Sequence, residues 1–128
     1  MFSRVRALIF DLDGLLIESE TGYRQAWLQA LLKMGYSIQA ADLQQLAGIS
    51  AEQLLPALEA LLKQSLDLAL FSQLSCEYWQ THVELYGIPV MPGVSEVLVE
   101  ASRLGWPVAV ATNSHRHQAE KLLVLAGL

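Results

Sequence analysis

Two short apolar runs, residues 5–10 and 107–111, constrain this chain more than any other feature. Each is nearly continuous in apolar residues rather than alternating, the pattern of a strand buried on both faces of a parallel sheet. Each stops at a polar cluster: Asp11-Leu12-Asp13-Gly14 after the first, Thr112-Asn113-Ser114 after the second. Between the runs the apolar spacing is helical. The second strand is therefore reached through a helix, and a right-handed crossover sets it parallel to the first.

The helical period begins at Ser19, where Tyr23, Ala26, Trp27, Ala30, Leu31 and Met34 share one face and Gly35 supplies the stop. A short helix fits 41–47, broken by Gly48. Ser50 with Gln53 reads as a capping box that opens a helix through Leu62, with Pro56 inside its early turns. A longer helix covers 67–86 and ends at Gly87. Pro89-Val90-Met91-Pro92-Gly93 is an extended link, and helices at 94–104 and 115–126 flank the second strand, with Gly105 and Gly127 as stops. The predicted fold class is α/β. A partial Rossmann-like parallel core, residues 1–14 and 89–128, is interrupted by an inserted all-helical cap domain at 15–88.

Charge and composition narrow the partners. Eight Lys and Arg against 13 Asp and Glu give a net charge of −5. A chain that acidic does not offer the basic face that nucleic acid or an anionic membrane demands. One cysteine, Cys76, allows no disulfide within the chain and suits a reducing cytosol. The N-terminal apolar run stops at Asp11 with no small-residue cleavage site after it, which reads as a strand rather than a signal peptide. No apolar stretch approaches bilayer length. The expected location is cytoplasmic.

The polar clusters carry the chemistry. In an open parallel sheet, ligands bind beyond the carboxyl ends of the strands. Asp11 closes its strand there. Asp13 lies two residues on, so both carboxylates face one side of an extended chain, and Gly14 permits a sharp turn away. One carboxylate can attack phosphorus while the other protonates the leaving oxygen and later activates water. Two carboxylates facing a phosphate repel it, so a divalent cation is required, and Mg²⁺ suits oxygen ligands and phosphate together. Thr112 and Asn113, at the end of the second strand, add a hydroxyl and an amide beside the N-terminus of the following helix, a phosphate-holding arrangement.

The run Phe10-Asp11-Leu12-Asp13-Gly14-Leu15-Leu16-Ile17-Glu18-Ser19-Glu20 resembles the first motif of the haloacid dehalogenase superfamily, and Val110-Ala111-Thr112-Asn113-Ser114 resembles its second. Their spacing is similar to that of the subfamily with a small helical cap after the first strand, and Met91-Pro92-Gly93-Val94 resembles the approach to the helix before the second motif. The resemblance implies a phosphatase or hydrolase with Asp11 as nucleophile and Mg²⁺ ligand. Asp13 would be the general acid/base with its carbonyl on Mg²⁺, and Thr112 and Asn113 would bind the transferring phosphoryl group. From their positions rather than from the resemblance, Gly14 in the turn and Arg116 at the start of the last helix, as an auxiliary anion contact, join the candidate phosphate-binding residues. Dehalogenases of the superfamily lack the second acid, so Asp13 implies phosphate chemistry on a small phosphorylated metabolite, such as a sugar phosphate or phosphoglycolate. A phosphomutase of the β-phosphoglucomutase type is the alternative. Glu18 stands where Asp is commoner, near the cap hinge, and bears on substrate choice. The superfamily's later lysine and acidic pair would lie beyond Leu128, and Lys121 is no substitute. The chain therefore reads as an N-terminal part with little or no phosphatase activity. A further alternative is a non-catalytic fragment that self-associates through an uncovered sheet edge.

Other polar and aromatic residues read as structural. Ser114 fits the cap of the last helix. His115 and His117 fit a solvated first turn, and His82 a surface or core place in the cap. Tyr23, Trp27, Tyr78, Trp79 and Tyr86, at helical spacing, are expected in the cap core, and Cys76 is expected as a small buried apolar residue.

Overall fold

A computed structural model describes residues 4–128; the first three residues of the predicted core segment lie outside the described ones. In chain order the elements are β1 (Leu8–Phe10), α1 (Glu20–Lys33), α2 (Ala40–Leu43), α3 (Ala51–Leu62), α4 (Leu68–Tyr86), α5 (Val94–Arg103), β2 (Val108–Val110) and α6 (Arg116–Leu125). A single 3₁₀ turn, Gln44–Leu46, follows α2. The chain forms two compact units, one from the segment ending at Ser19 together with Gly87–Leu128, the other Glu20–Tyr86.

The first unit is α/β. β1 and β2 pair in parallel, with Leu8 opposite Val108, Ile9 opposite Ala109 and Phe10 opposite Val110. The Leu8 N–H donates to the Pro107 carbonyl at 3.0 Å, and the Ala111 N–H to the Phe10 carbonyl at 2.8 Å. Both strands are shorter than the apolar runs that encode them. Pro107 has no N–H to extend the ladder toward the N-terminus, so residues 5–7 precede the strand rather than belonging to it. The strands are also far from buried on both faces: Ile9 is 74% exposed, Val108 49% and Val110 37%.

After β1 the chain winds tightly around one carbonyl. Leu12 C=O accepts from the N–H groups of Leu15, Leu16 and Ile17 at 3.0–3.3 Å, and the Gly14 N–H donates to Ile17 C=O at 2.8 Å. Gly14 has φ +80°, a left-handed conformation that carries little penalty only for glycine. The outgoing and returning segments then lie antiparallel: the Glu18 N–H donates to Pro89 C=O and the Met91 N–H to Leu16 C=O, at 2.8 and 2.9 Å. The core beneath is apolar, with Leu12, Leu16, Ile17, Ile88, Val94, Ala101, Ala119 and Leu122 all buried.

The second unit is all helical. Its core gathers Ala30 and Leu31 of α1, Leu43 of α2, Leu46 of the 3₁₀ turn, Leu58 of α3, Leu66 of the link after α3, and Phe71 of α4. Gly22 lets α1 approach α4 closely, since a Cβ there would lie 3.3 Å from the His82 ring. Tyr23 stacks on Trp79 with ring centres 5.8 Å apart and on Trp27 at 6.5 Å. Tyr86, expected in this core, is 72% exposed and instead rests against the His82 ring at 4.9 Å. Cys76 is exposed rather than buried, because α4 turns Phe71 and Trp79 inward and Cys76 falls on another face. The Ser50 capping box does not form. Ser50 is the N-cap of α3, but its side chain makes no cap bond, and its carbonyl accepts from the Gln53 N–H at 3.1 Å. Pro56 sits within α3 without ending it. No helix of the described residues is long and apolar enough to cross a membrane.

Candidate active site

The parallel register brings the two polar clusters to one end of the sheet. Phe10 and Val110 are partners, so Asp11 leaves β1 beside the point where Ala111 and Thr112 leave β2. Asp11 is exposed, and its Oδ1 accepts from the Leu12 N–H at 2.8 Å, which anchors the carboxylate at the strand end. Asp13 is half-buried. One of its oxygens accepts from the Ser19 hydroxyl, the other from the Ser114 hydroxyl at 3.4 Å, at the long end of the hydrogen-bond range. The Ser114 N–H in turn donates to Thr112 Oγ1 at 3.1 Å. A continuous hydrogen-bonded path thus runs from Asp13 in the first motif to Thr112 in the second.

The other predicted site residues fall in different places. Gly14 makes the turn that follows Asp13. Asn113 is exposed beside Thr112. Arg116 is engaged by Glu120, one turn along α6, at 2.9 Å, and its side chain is 91% exposed. Ser114 does not cap α6. His115 holds the N-cap position, without a side-chain bond, and the Ser114 hydroxyl is directed to Asp13 instead. Ser19 and Ser114 are the two contacts of Asp13 that the sequence did not link to it. The available signal was position alone: Ser19 follows Asp13 by one tight turn, and Ser114 closes the second polar cluster.

A groove of about 790 Å³ also lies in this unit. Phe10, Val108, Val110 and Leu123 are among its apolar lining, and Thr112, Ser114, Arg116 and Glu120 are its polar lining. Asp11 and Asp13 do not line it, so the carboxylates and the groove are separate features. Glu100 of α5 is held below the usual carboxylate range by its hydrogen bond to Arg103; this pair is on the surface and takes no part in the site.

As to a metal, the described residues contain no group of three or more His, Cys, Asp or Glu side chains set to hold one. Mg²⁺ nonetheless keeps several waters and is commonly held by one or two carboxylates plus substrate phosphate. The Asp11 carboxylate, with the backbone carbonyl of Asp13, would fit that pattern.

An α/β unit with paired carboxylates at the carboxyl end of a parallel sheet, followed by a helical insert, defines a class of hydrolase. The chain belongs to the haloacid dehalogenase-like hydrolase family, whose model matches residues 5–128. It is 27% identical to the plasmid-encoded protein CbbY of Cupriavidus necator, over 93% of this chain and 51% of that protein. A crystal structure of a haloacid dehalogenase family hydrolase from Deinococcus radiodurans, with bound phosphate and sodium, superposes with a TM-score of 0.72 at 25% identity, covering 96% of this chain and 53% of that one. A candidate β-phosphoglucomutase from Thermotoga maritima shares the fold with a TM-score of 0.78 at 24% identity, covering 97% of this chain and 57% of that one. The chain thus spans about half the length of these relatives.

Proposed function

We propose that the chain carries the nucleophile and the acid/base of a Mg²⁺-dependent phosphatase acting on a small phosphorylated metabolite. The Asp11 carboxylate oxygen attacks phosphorus, the bond from phosphorus to the leaving oxygen breaks, and Asp13 gives that oxygen its proton. Asp13 then takes a proton from water, the hydroxide attacks the aspartyl-phosphate, and Asp11 is regenerated with release of inorganic phosphate. Thr112 and Asn113 hold the transferring phosphoryl group by hydroxyl and amide hydrogen bonds. The Asp11 carboxylate and the backbone carbonyl of Asp13 would hold Mg²⁺, which would supply the positive charge that lets an anionic nucleophile meet an anionic substrate. The helical unit, Glu20–Tyr86, serves as the cap that selects the metabolite.

The observation that carries this reading is the path from Asp13 through Ser114 to Thr112, which ties the two motifs together at one end of the sheet. The test is calorimetric binding of fluoroberyllate, a mimic of a phosphoryl group on a carboxylate. Binding that needs Mg²⁺ and disappears in Asp11→Asn supports the reading; binding unchanged in Asp11→Asn contradicts it.

Self-association is a second reading, favoured by one observation. A two-stranded sheet leaves an unpaired edge on each strand, and Ile9 is 74% exposed on β1. Sedimentation equilibrium showing a dimer that Ile9→Lys dissociates would support it, and a monomer at all concentrations would remove it.

A further inference from the structure

Ser19 is a buried polar residue of the α/β unit, at 4% exposure. It stands one residue before α1, where a serine ordinarily caps a helix by accepting hydrogen bonds through its oxygen. Its hydroxyl hydrogen is used otherwise, being donated to Asp13. A buried hydroxyl has no water to turn to, so this bond persists unless the local fold opens. The second carboxylate oxygen of Asp13 faces the Ser114 hydroxyl, which is itself fixed through its own N–H to Thr112. The carboxylate is therefore held from both oxygens by groups on different segments of the chain.

We propose that Ser19 is a positioning residue that locks the Asp13 side chain into one rotamer, with Ser114 as the weaker second clamp. The proposal rests on the acid/base role given to Asp13 above, where its worth lies: a proton donor must be held close to the angle at which it meets the leaving oxygen. A purely structural serine before α1 would need only its oxygen and would leave Asp13 free to turn.

The test uses the intact 128-residue chain, with three-bond NMR couplings that report χ1 of Asp13. Ser19→Gly is the useful variant, because glycine replaces serine before a helix at small cost while deleting the hydroxyl. Ser19→Thr is the rescue, keeping a hydroxyl in place. Wild type and Ser19→Thr are expected to show one Asp13 rotamer, and Ser19→Gly rotamer averaging with an otherwise native amide spectrum. A single rotamer in Ser19→Gly overturns the proposal, as does averaging in the wild type. Should Ser19→Gly disturb the amide spectrum broadly, Ser114→Ala gives the same reading from the other oxygen: partial averaging supports the clamp and none overturns it. Fluoroberyllate binding to Asp11→Asn judges the phosphatase reading separately, so averaging in Ser19→Gly with binding intact in Asp11→Asn would keep the clamp and discard the chemistry.

Discussion

Leu12 lies between the two aspartates, and its side chain is fully buried in the core of the α/β unit. Leu12→Ala removes three carbon atoms from that core. At about 0.8 kcal/mol for each buried carbon the lost transfer energy is roughly 2–2.5 kcal/mol, and the cavity left behind raises the total to about 3–4 kcal/mol. Leu15, in the same turn, supplies the internal control because it is 48% exposed. Leu15→Ala removes the same atoms from a surface place and should cost less than about 1 kcal/mol. The assay is urea unfolding followed through resolved amide resonances of the α/β unit, with each unit fitted separately because one transition for the whole chain is not assured. If Leu12→Ala and Leu15→Ala cost the same, the turn is not anchored by Leu12, and the account of how Asp11 and Asp13 are placed is wrong.

Other outcomes follow from particular residues. Gly14→Ala meets nothing within 4 Å, so its whole cost is the left-handed backbone at φ +80°; a loss of about 1–2 kcal/mol in urea unfolding is expected, and no loss would contradict the assigned turn. Arg116→Ala should leave fluoroberyllate affinity within about twofold, because its guanidinium is 91% exposed and paired with Glu120; a loss beyond about tenfold would show Arg116 to be an anion contact. Cys76, exposed on α4, should react with a thiol reagent in the native state at close to the rate of the unfolded chain, and protection by orders of magnitude would return it to the core.

Much of this architecture is legible in the sequence. Switches between continuous apolar runs and helical spacing located both strands and every long helix, because those patterns report which faces are buried. Glycine marked the breaks for a local reason: Gly35, Gly48, Gly87, Gly105 and Gly127 all adopt positive φ where a helix or turn stops. The misreadings occurred where tertiary structure overrules local pattern. Pro107 shortened both strands by denying one ladder bond, which an apolar run does not reveal. Ile9 and Val110 read as buried on composition, yet burial depends on what packs over the sheet. Ser50 and Ser114 both had the residue type of a cap, and neither makes the side-chain cap bond.

The candidate site divides the same way. Asp11, Asp13 and Thr112 were legible from strand ends, since a parallel sheet sends its carboxyl ends to one place. The hydroxyl clamp on Asp13 was not, because Ser114 reaches it across 101 residues of sequence. Where Arg116 points was not legible either, since its ion pair with Glu120 is made one turn further along α6.

Transfer of a phosphoryl group to Asp11 is tested most simply by trapping it. The chain is incubated with acetyl phosphate and Mg²⁺, reduced with borohydride to convert any acyl phosphate to a stable alcohol, and mapped by peptide mass spectrometry. Reduction at Asp11, absent when Mg²⁺ is withheld, is the predicted result. Reduction at Asp13 or at another carboxylate, with Asp11 unchanged, would contradict it.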